Sequence, residues 1–160
     1  MVIVANLEVK RLRLHLILSF QASLILKVDY PMSIFHQRNL SLKKLNWSGA
    51  HNPLWILRNN EIIELPKDKM PVGKGEKTEM FSLQTIELKP GDALYLYTDG
   101  FADQFGGMER AGGKKFMYRR LKELILSIKQ LPIEQQEKAL LAQFTNWKGD
   151  FEQLDDVCIM

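Results

Sequence analysis

Residues 93–107 read ALYLYTDGFADQFGG. The first six residues of this stretch are nearly all apolar and rich in aromatic and β-forming types, which predicts a central strand covered on both faces. The strand ends abruptly at Asp99-Gly100. A carboxylate at the tip of a buried strand is costly unless charge or hydrogen bonds compensate it. We therefore take Asp99 as a candidate functional residue.

A second acid, Asp103, follows shortly after Asp99. A helical turn after Gly100 would bring the two carboxylates near each other, and a glycine there permits either close approach of another backbone or unusual dihedral angles. Two interpretations stay open for Asp99, Gly100 and Asp103. In the first, these residues form part of a metal site. In the second, Asp99 is a polar cap that accepts hydrogen bonds from the next turn.

An acidic pair, Asp155-Asp156, stands before the apolar, β-prone run at 157–160. This pair and the Asp99 cluster would each lie at a strand end, so they can meet at one edge of a sheet. Oxygen ligands with no histidine nearby favour magnesium, manganese or calcium over zinc. Cys158 falls within the strand pattern and is expected to be a core residue.

Composition limits the class of protein. The chain has 160 residues, which suits one domain, and 46% of them are hydrophobic, which is enough to bury a core. One cysteine excludes an internal disulfide framework and a cysteine-based zinc site. A net charge of +3 argues against an obligate nucleic-acid binder. The apolar stretch at 14–26 is interrupted by polar residues and is too short to span a membrane, and no signal-peptide cleavage pattern follows it.

Strands are predicted before the central one. Alternating polar and apolar residues at 42–48 predict a strand with one solvated face, and residues 54–57 predict an apolar strand. Asn59-Asn60 tolerates positive φ, which predicts a tight hairpin over 58–63. A further strand is expected at 81–88.

Two amphipathic helices are predicted after the central strand, each with an apolar face that packs in the core. The first face consists of Met117, Leu121, Leu124, Ile125 and Ile128. The second helix begins near Pro132, and its apolar face consists of Ile133, Leu140, Leu141 and Phe144.

Taken in order, several segments resemble the metal-dependent serine/threonine protein phosphatases of type 2C (PPM), in particular the SpoIIE-like branch found in bacterial signalling proteins. The matching segments are WSGAHNPL at 47–54, PVG at 71–73, LKPGD at 88–92, YTDGFADQFGG at 97–107, KKF at 114–116 and QLDDV at 153–157. A lone TDG triplet would be weak evidence, whereas the ordered set is specific.

The resemblance implies an α+β fold in which two packed antiparallel β-sheets are flanked by helices, present here in part. It also implies a site for two Mn²⁺ or Mg²⁺ ions at one end of the sandwich. Asp99 and Asp155 would be metal ligands, Gly100 and Asp103 would shape or extend the site, and Asp156 would neighbour it. The nucleophile would be a metal-activated water, so no side chain is assigned a catalytic role.

The resemblance covers residues 40–160, and residues 1–39 are read as an atypical segment that does not match the family. The acidic opening motif of the family, Asp-x-x-Gly-His-Gly, supplies the ligand that bridges the two metals, and this sequence lacks it. Two functions therefore stay open. The chain is a cytoplasmic serine/threonine protein phosphatase with a phosphorylated protein substrate, such as an anti-sigma-factor antagonist, or it is an inactive phosphatase-like interaction module. Uncovered sheet edges also predict self-association.

Overall fold

The structure is a computed structural model. It describes residues 3–4, 16–17, 24–29, 43–70, 80–107 and 112–160. The chain divides into two compact units, which we call the C-terminal unit and the N-terminal unit. The C-terminal unit consists of Met1–Leu7, Asn60–Ile62 and Tyr95–Met160, and the N-terminal unit of Glu8–Asn59 and Ile63–Leu94.

The N-terminal unit contains a four-stranded antiparallel sheet. Its strand order is β2 (Leu16–Ile17), β3 (Leu24–Asp29), β4 (Lys43–Gly49) and β7 (Gln84–Leu88).

Strand β4 has the two different faces that its sequence pattern predicts. Leu45 and Trp47 are buried, whereas Lys44 is exposed. The register places Leu45 opposite Val28 of β3 and Ile86 of β7. The apolar face therefore sets the pairing of the whole sheet, because a slip by one residue would turn Leu45 and Trp47 to solvent.

A three-stranded sheet has the order β6 (Glu61–Glu64), β5 (Trp55–Arg58) and β8 (Ala93–Tyr95). Between β5 and β6, Asn59 and Asn60 have φ of 49° and 68°, which is the left-handed conformation of a two-residue hairpin turn. The predicted hairpin is confirmed.

The strand prediction for 81–88 is wrong at its start, since β7 begins at Gln84. The carboxylate of Asp68 accepts hydrogen bonds from the Ser82 main-chain N–H at 2.8 Å and from the Ser82 hydroxyl at 3.0 Å. The backbone donor of Ser82 is thus satisfied by a side chain and not by a strand ladder.

The predicted continuous central strand over 93–98 is also wrong. Residues 93–95 form β8 and are only half-buried, whereas residues 96–98 pair with residues 158–160. Leu96 and Met160 exchange both main-chain hydrogen bonds, at 2.9 and 2.8 Å. The apolar run changes pairing partner in its middle, and sequence periodicity does not report a change of partner.

The LKPGD segment forms a turn fixed by its last residue. The Arg58 guanidinium donates to both carboxylate oxygens of Asp92, at 2.9 and 2.6 Å, and to the main-chain oxygen of Glu87 at 2.9 Å. The Lys89 N–H also donates to the Asp92 carboxylate, at 2.8 Å. The hydrogen bonds from Arg58 hold the pKa of the Asp92 carboxyl below its usual range.

The C-terminal unit holds the remaining strands. β11 (Cys158–Ile159) pairs in parallel with β1 (Ile3–Val4) and in antiparallel direction with residues 96–98. A short antiparallel pair joins β9 (Phe105–Gly106) to β10 (Lys114–Lys115).

Three helices complete the C-terminal unit: α1 (Gly100–Asp103), α2 (Tyr118–Ile128) and α3 (Ile133–Lys148). The ring of Phe101 on α1 is fully buried, and its centroid lies 5.1 Å from that of Phe116 and 5.1 Å from that of Phe144. Aromatic packing of this kind anchors the first residues after Asp99-Gly100 in the core.

The two predicted helices are confirmed, but four residues of their predicted apolar faces are not buried: Leu124 and Ile133 are half-buried, and Met117 and Leu141 are exposed. The buried members of the faces are Leu121, Ile125, Ile128, Leu140 and Phe144. Met117 is 56% exposed, because it precedes α2 in a left-handed backbone conformation with φ of 75°. Leu141 is 47% exposed, since it is one position and about 100° around the helix from Leu140.

Cys158 is half-buried, whereas its chain neighbours Val157 and Ile159 are buried, so Cys158 is not the core residue that the sequence predicted. No helix within the described ranges is long and apolar enough to cross a membrane. The matching segment at 71–73 lies outside the described residues.

Candidate metal centre

The two acidic segments predicted from the sequence meet in the C-terminal unit. The Thr98 N–H donates to the main-chain oxygen of Cys158 at 3.0 Å, so residues 96–98 and 158–160 run side by side in opposite directions. In such a pair the end of one strand lies beside the start of the other. Asp99 follows the first strand, and Asp155-Asp156 comes just before the second.

The hydroxyl of Thr98 links the two segments a second time. It donates to the main-chain oxygen of Asp156 at 2.7 Å and accepts from the Cys158 N–H at 2.9 Å. A hydroxyl group can do both at once, because it carries one donor and two acceptor lone pairs. Thr98 thus fixes the acidic pair next to Asp99, a role that the sequence analysis missed.

Gly100 makes this close approach possible. It is buried, and a Cβ added to it would lie 2.5 Å from the main-chain oxygen of Asp156 and 3.2 Å from that of Asp155. Only glycine leaves room for the two backbones at this distance. The close backbone approach expected from the sequence is confirmed.

The carboxylates of the candidate centre lie at the surface. Asp99, Asp155 and Asp156 are exposed, and Asp103 is half-buried at the end of α1. The Asp103 carboxylate forms an ion pair with the Lys115 ammonium at 3.2 Å. Lys115 is a second residue that the sequence analysis did not connect with the site.

The capping interpretation of Asp99 is not what the structure shows. Asp99 stands at the N-cap position of α1, yet its side chain makes no capping hydrogen bond within the described part of the chain. Its main-chain oxygen accepts from the Asp103 N–H at 2.9 Å, as in an ordinary helical turn. The other interpretation, in which Asp99 is part of a metal site, stays a prediction.

The loop that carries the second acid is held by its own hydrogen bonds. The Asp156 N–H donates to Oδ1 of Asp155 at 2.7 Å, and the Gln153 side-chain amide donates to the main-chain oxygen of Asp155 at 2.8 Å. These bonds fix the backbone of Asp155 and one oxygen of its carboxylate.

The thiol of Cys158, which follows the acidic pair in the sequence, is not a candidate nucleophile or metal ligand. Burial raises the pKa of the Cys158 thiol, so the uncharged form predominates at neutral pH. The thiolate is the nucleophile and the metal ligand, and it is disfavoured here.

The candidate centre offers oxygen ligands, the type that a divalent ion such as magnesium requires. Magnesium and ions like it prefer oxygen ligands, keep several waters and are often bound through one or two carboxylates. Asp99 and Asp155 stand on adjoining segments that the tight Gly100 contact brings together, and their carboxylates are of the ligand type that such an ion prefers. Across residues 43–70, 80–107 and 112–160, no group of three or more His, Cys, Asp and Glu side chains could hold a metal ion. The described residues do not complete a centre for two ions.

A comparison with protein families shows which family the chain belongs to. The family model described as "Stage II sporulation protein E (SpoIIE)" matches residues 26–160. The chain belongs to the SpoIIE family. The matched range begins before residue 40, and the predicted boundary between residues 39 and 40 stays a prediction.

Solved structures of SpoIIE-like phosphatase domains have the same fold. The SiaA-PP2C domain of Pseudomonas aeruginosa is 30% identical, with a TM-score of 0.62 over 72% of this chain and 44% of that chain. The manganese-presoaked phosphatase domain of SpoIIE from Bacillus subtilis is 13% identical, with a TM-score of 0.54 over 86% and 55%. The chain spans about half the length of these domains. The predicted α+β fold of antiparallel sheets and helices is confirmed. No match was found among curated proteins.

Proposed function

We propose that residues 40–160 of this SpoIIE-family chain form the carboxy-terminal part of the domain of a metal-dependent protein serine/threonine phosphatase. It would act in the bacterial cytoplasm on a phosphorylated signalling protein, such as an anti-sigma-factor antagonist. Family membership supports the phosphatase class. The single observation that carries the assignment to this polypeptide is the contact of Gly100 with the backbone of Asp155-Asp156, which brings the two acidic segments together.

Asp99 and Asp155 are the residues that would hold Mn²⁺ or Mg²⁺, with Asp103, Gly100 and Asp156 extending or shaping the centre. Divalent ions bound there would neutralise the charge of a phosphate ester and activate a water for its hydrolysis.

The chain's own residues contribute position and access. Thr98 and Gly100 fix the backbones that carry the acids, so the acidic groups need no rearrangement before a ligand binds. Preorganised charge of this kind is the main contribution a protein makes to phosphoryl transfer. Because the carboxylates of Asp99 and Asp155 are exposed, a phosphorylated side chain on another protein could reach an ion held by them.

A second function, a catalytically inactive phosphatase-like interaction module, is favoured by one specific observation. The described residues supply too few ligands for two ions. The sequence also lacks the acidic opening motif. Self-association through uncovered sheet edges is a separate proposal that applies to either function. A module of this kind would bind partners but would not hydrolyse phosphate esters.

The deciding experiment measures manganese-dependent hydrolysis of p-nitrophenyl phosphate by the full chain and by Asp99→Asn. The phosphatase proposal expects turnover that requires Mn²⁺ or Mg²⁺ and is lost in Asp99→Asn. A matched control is Asp150→Asn, because Asp150 is an exposed acid beyond the end of α3. Absence of turnover in the wild-type chain with every divalent ion would overturn the phosphatase proposal and favour the interaction module.

Calorimetry with Mn²⁺ tests the metal stoichiometry of the same preparations. Tight binding of two ions would contradict the inactive-module alternative, whereas weak binding of one ion agrees with the two carboxylates that the described residues offer. Release of phosphate from phosphoserine peptides, with phosphotyrosine peptides as a comparison, tests the proposed substrate class.

A further inference from the structure

Gln104 is the one polar residue that is fully buried among the described residues, with no exposed surface. It follows directly after α1, the helical turn that carries Asp103. Its side chain is not used in the chemistry proposed above, and the sequence analysis gave it no role. A buried polar side chain needs a physical reason, because an apolar residue of the same shape would be easier to bury.

The side-chain amide of Gln104 joins two segments that are far apart in the sequence. Its Nε2 donates to the main-chain oxygen of Phe105 at 2.9 Å and to that of Glu152 at 2.8 Å. Glu152 stands three residues before Asp155. The amide therefore connects the end of α1 to the segment that leads into the second acid.

The orientation of this amide follows from its neighbours. Both Nε2 protons face carbonyl oxygens, so exchanging the nitrogen and the oxygen would set carbonyl against carbonyl. The remaining atom, Oε1, is buried and has no hydrogen-bond partner in the part of the chain that the structure describes. An unsatisfied buried acceptor costs folding free energy. Glutamine offers two hydrogen bonds from Nε2, to the main-chain oxygens of Phe105 and Glu152, which an apolar residue of similar shape could not make.

The main chain of Gln104 is equally constrained. Its carbonyl oxygen accepts from the Phe116 N–H at 3.0 Å and from the Trp147 indole N–H at 3.0 Å. The backbone that carries the side-chain amide is thus held in place, and the amide in turn holds the segment at Glu152. Thr98 holds the same segment on the other side of Asp155, at Asp156 and Cys158.

We propose that Gln104 is a positioning residue of the candidate metal centre: its buried amide holds the segment before Asp155 against the end of α1. This inference rests on the proposed function, since it assigns Gln104 a role toward the ion that Asp99 and Asp155 would bind. Side chains that orient metal ligands without touching the metal commonly affect affinity by about 10- to 100-fold when they are replaced.

The test compares the full chain with Gln104→Met, which keeps the length of the side chain and removes both donors. We expect Mn²⁺ affinity, measured by calorimetry, to fall by about 10- to 100-fold. The control is Ile125→Ala, a truncation in the buried face of α2 that lowers stability without touching the acidic segments. The proposal expects the control to keep its Mn²⁺ affinity at a temperature where both variants are folded. Equal affinity in the wild-type chain and Gln104→Met would overturn the proposal.

Hydrogen exchange without metal separates this inference from the proposed function. In Gln104→Met the amides of residues 155–158 should exchange faster, while those of α2 keep their wild-type rates. If the wild-type chain binds no Mn²⁺, the proposed function fails, and the exchange rates still decide the positioning role. If Gln104→Met does not fold, hydrogen exchange in the wild-type chain tests the positioning role of Gln104. Both Nε2 protons of Gln104 should be protected from exchange, and rapid exchange of these protons would overturn the proposal.

Discussion

The main chain of Gly100 passes so close to the carbonyl oxygen of Asp156 that a Cβ at position 100 would lie 2.5 Å from it. Real side chains are essentially never found at this distance from a backbone oxygen. The contact ties the residue after the first acid directly to the second acidic pair. A change of one methyl group therefore tests whether the approach of these two segments matters for the centre.

Gly100→Ala should weaken both folding and metal binding. The added methyl group meets backbone, which cannot rotate away, so the two segments have to separate. We expect a loss of about 1–3 kcal/mol in the free energy of unfolding, the usual cost of overpacking. Mn²⁺ affinity should fall as well, which calorimetry would measure.

Gly91→Ala is the matched control for this substitution. Gly91 has φ of 88°, so alanine is strained there, yet nothing lies within 4 Å of its added Cβ. We expect some loss of stability and unchanged Mn²⁺ affinity. Equal loss of affinity in the two variants would show that general destabilisation, and not the contact at Asp156, is responsible.

Lys115→Met should raise the affinity for Mn²⁺. The Lys115 ammonium pairs with the Asp103 carboxylate at 3.2 Å, so it would compete with a divalent ion for the same carboxylate in the proposed centre. Both side chains are partly exposed, which limits the effect to about 1 kcal/mol, or about fivefold in affinity. Lys138→Met, on an exposed position of α3, serves as the control for the loss of one positive charge. A fall in affinity for Lys115→Met would show that the lysine supports the centre.

Asp92 should make folding stability depend on pH in the acid range. Hydrogen bonds from Arg58 hold the pKa of the Asp92 carboxyl below its value of about 3.9 in the unfolded chain. The resulting stabilisation is therefore present above about pH 4 and is lost as the pH falls through the folded-state pKa. Urea unfolding of the wild-type chain between pH 7 and pH 2 would measure this loss.

Asp92→Asn should remove that pH dependence and lower stability at pH 7 by about 1–3 kcal/mol, because charged, bidentate hydrogen bonds are lost. Glu123→Gln is the comparison, since Glu123 forms an exposed ion pair with Arg119 at 3.8 Å within α2. Such helix pairs contribute about 0.5 kcal/mol at most. An equal effect of the two substitutions would contradict the structural role of Asp92.

Met117→Gly should stabilise the chain by about 1 kcal/mol. Met117 has φ of 75° and ψ of 145°, a region that costs about 1–3 kcal/mol for residues other than glycine, while its side chain is 56% exposed. The flexibility of glycine in the unfolded chain offsets part of the gain. Met117→Ala keeps the Cβ and the strain, so thermal denaturation should show no stabilisation for it. Stabilisation by both substitutions would mean that the methionine side chain, and not the backbone, is unfavourable.

Much of the fold could be predicted because it depends on local patterns. Burial alternates along β4 as the residue types do, and the hairpin turn at Asn59-Asn60 follows from residues that tolerate positive φ. The change of partner after Tyr95 could not be predicted, since it depends on which distant segment pairs with Leu96. Periodicity describes what one strand buries and not which strand it meets.

The acids of the candidate centre could be predicted for a similar reason, because Asp99 and Asp155 interrupt or precede apolar strands. The groups that hold them in place could not. Thr98 is a common strand residue, and Gln104 stands in a mixed stretch in which nothing signals burial. Their roles come from contacts with Asp156 and Glu152, which are remote in sequence.

The hydrogen bond from Thr98 to Asp156 spans 58 positions of the chain. Contacts between distant positions close large loops, whose entropy has to be overcome before the contacts stabilise anything, and they form late and slowly during folding. The helices α2 and α3 lie within this loop and depend on local contacts. In refolding experiments, helical structure should therefore appear before the acidic segments come together, and the capacity to bind a metal ion would be the last property that the chain acquires.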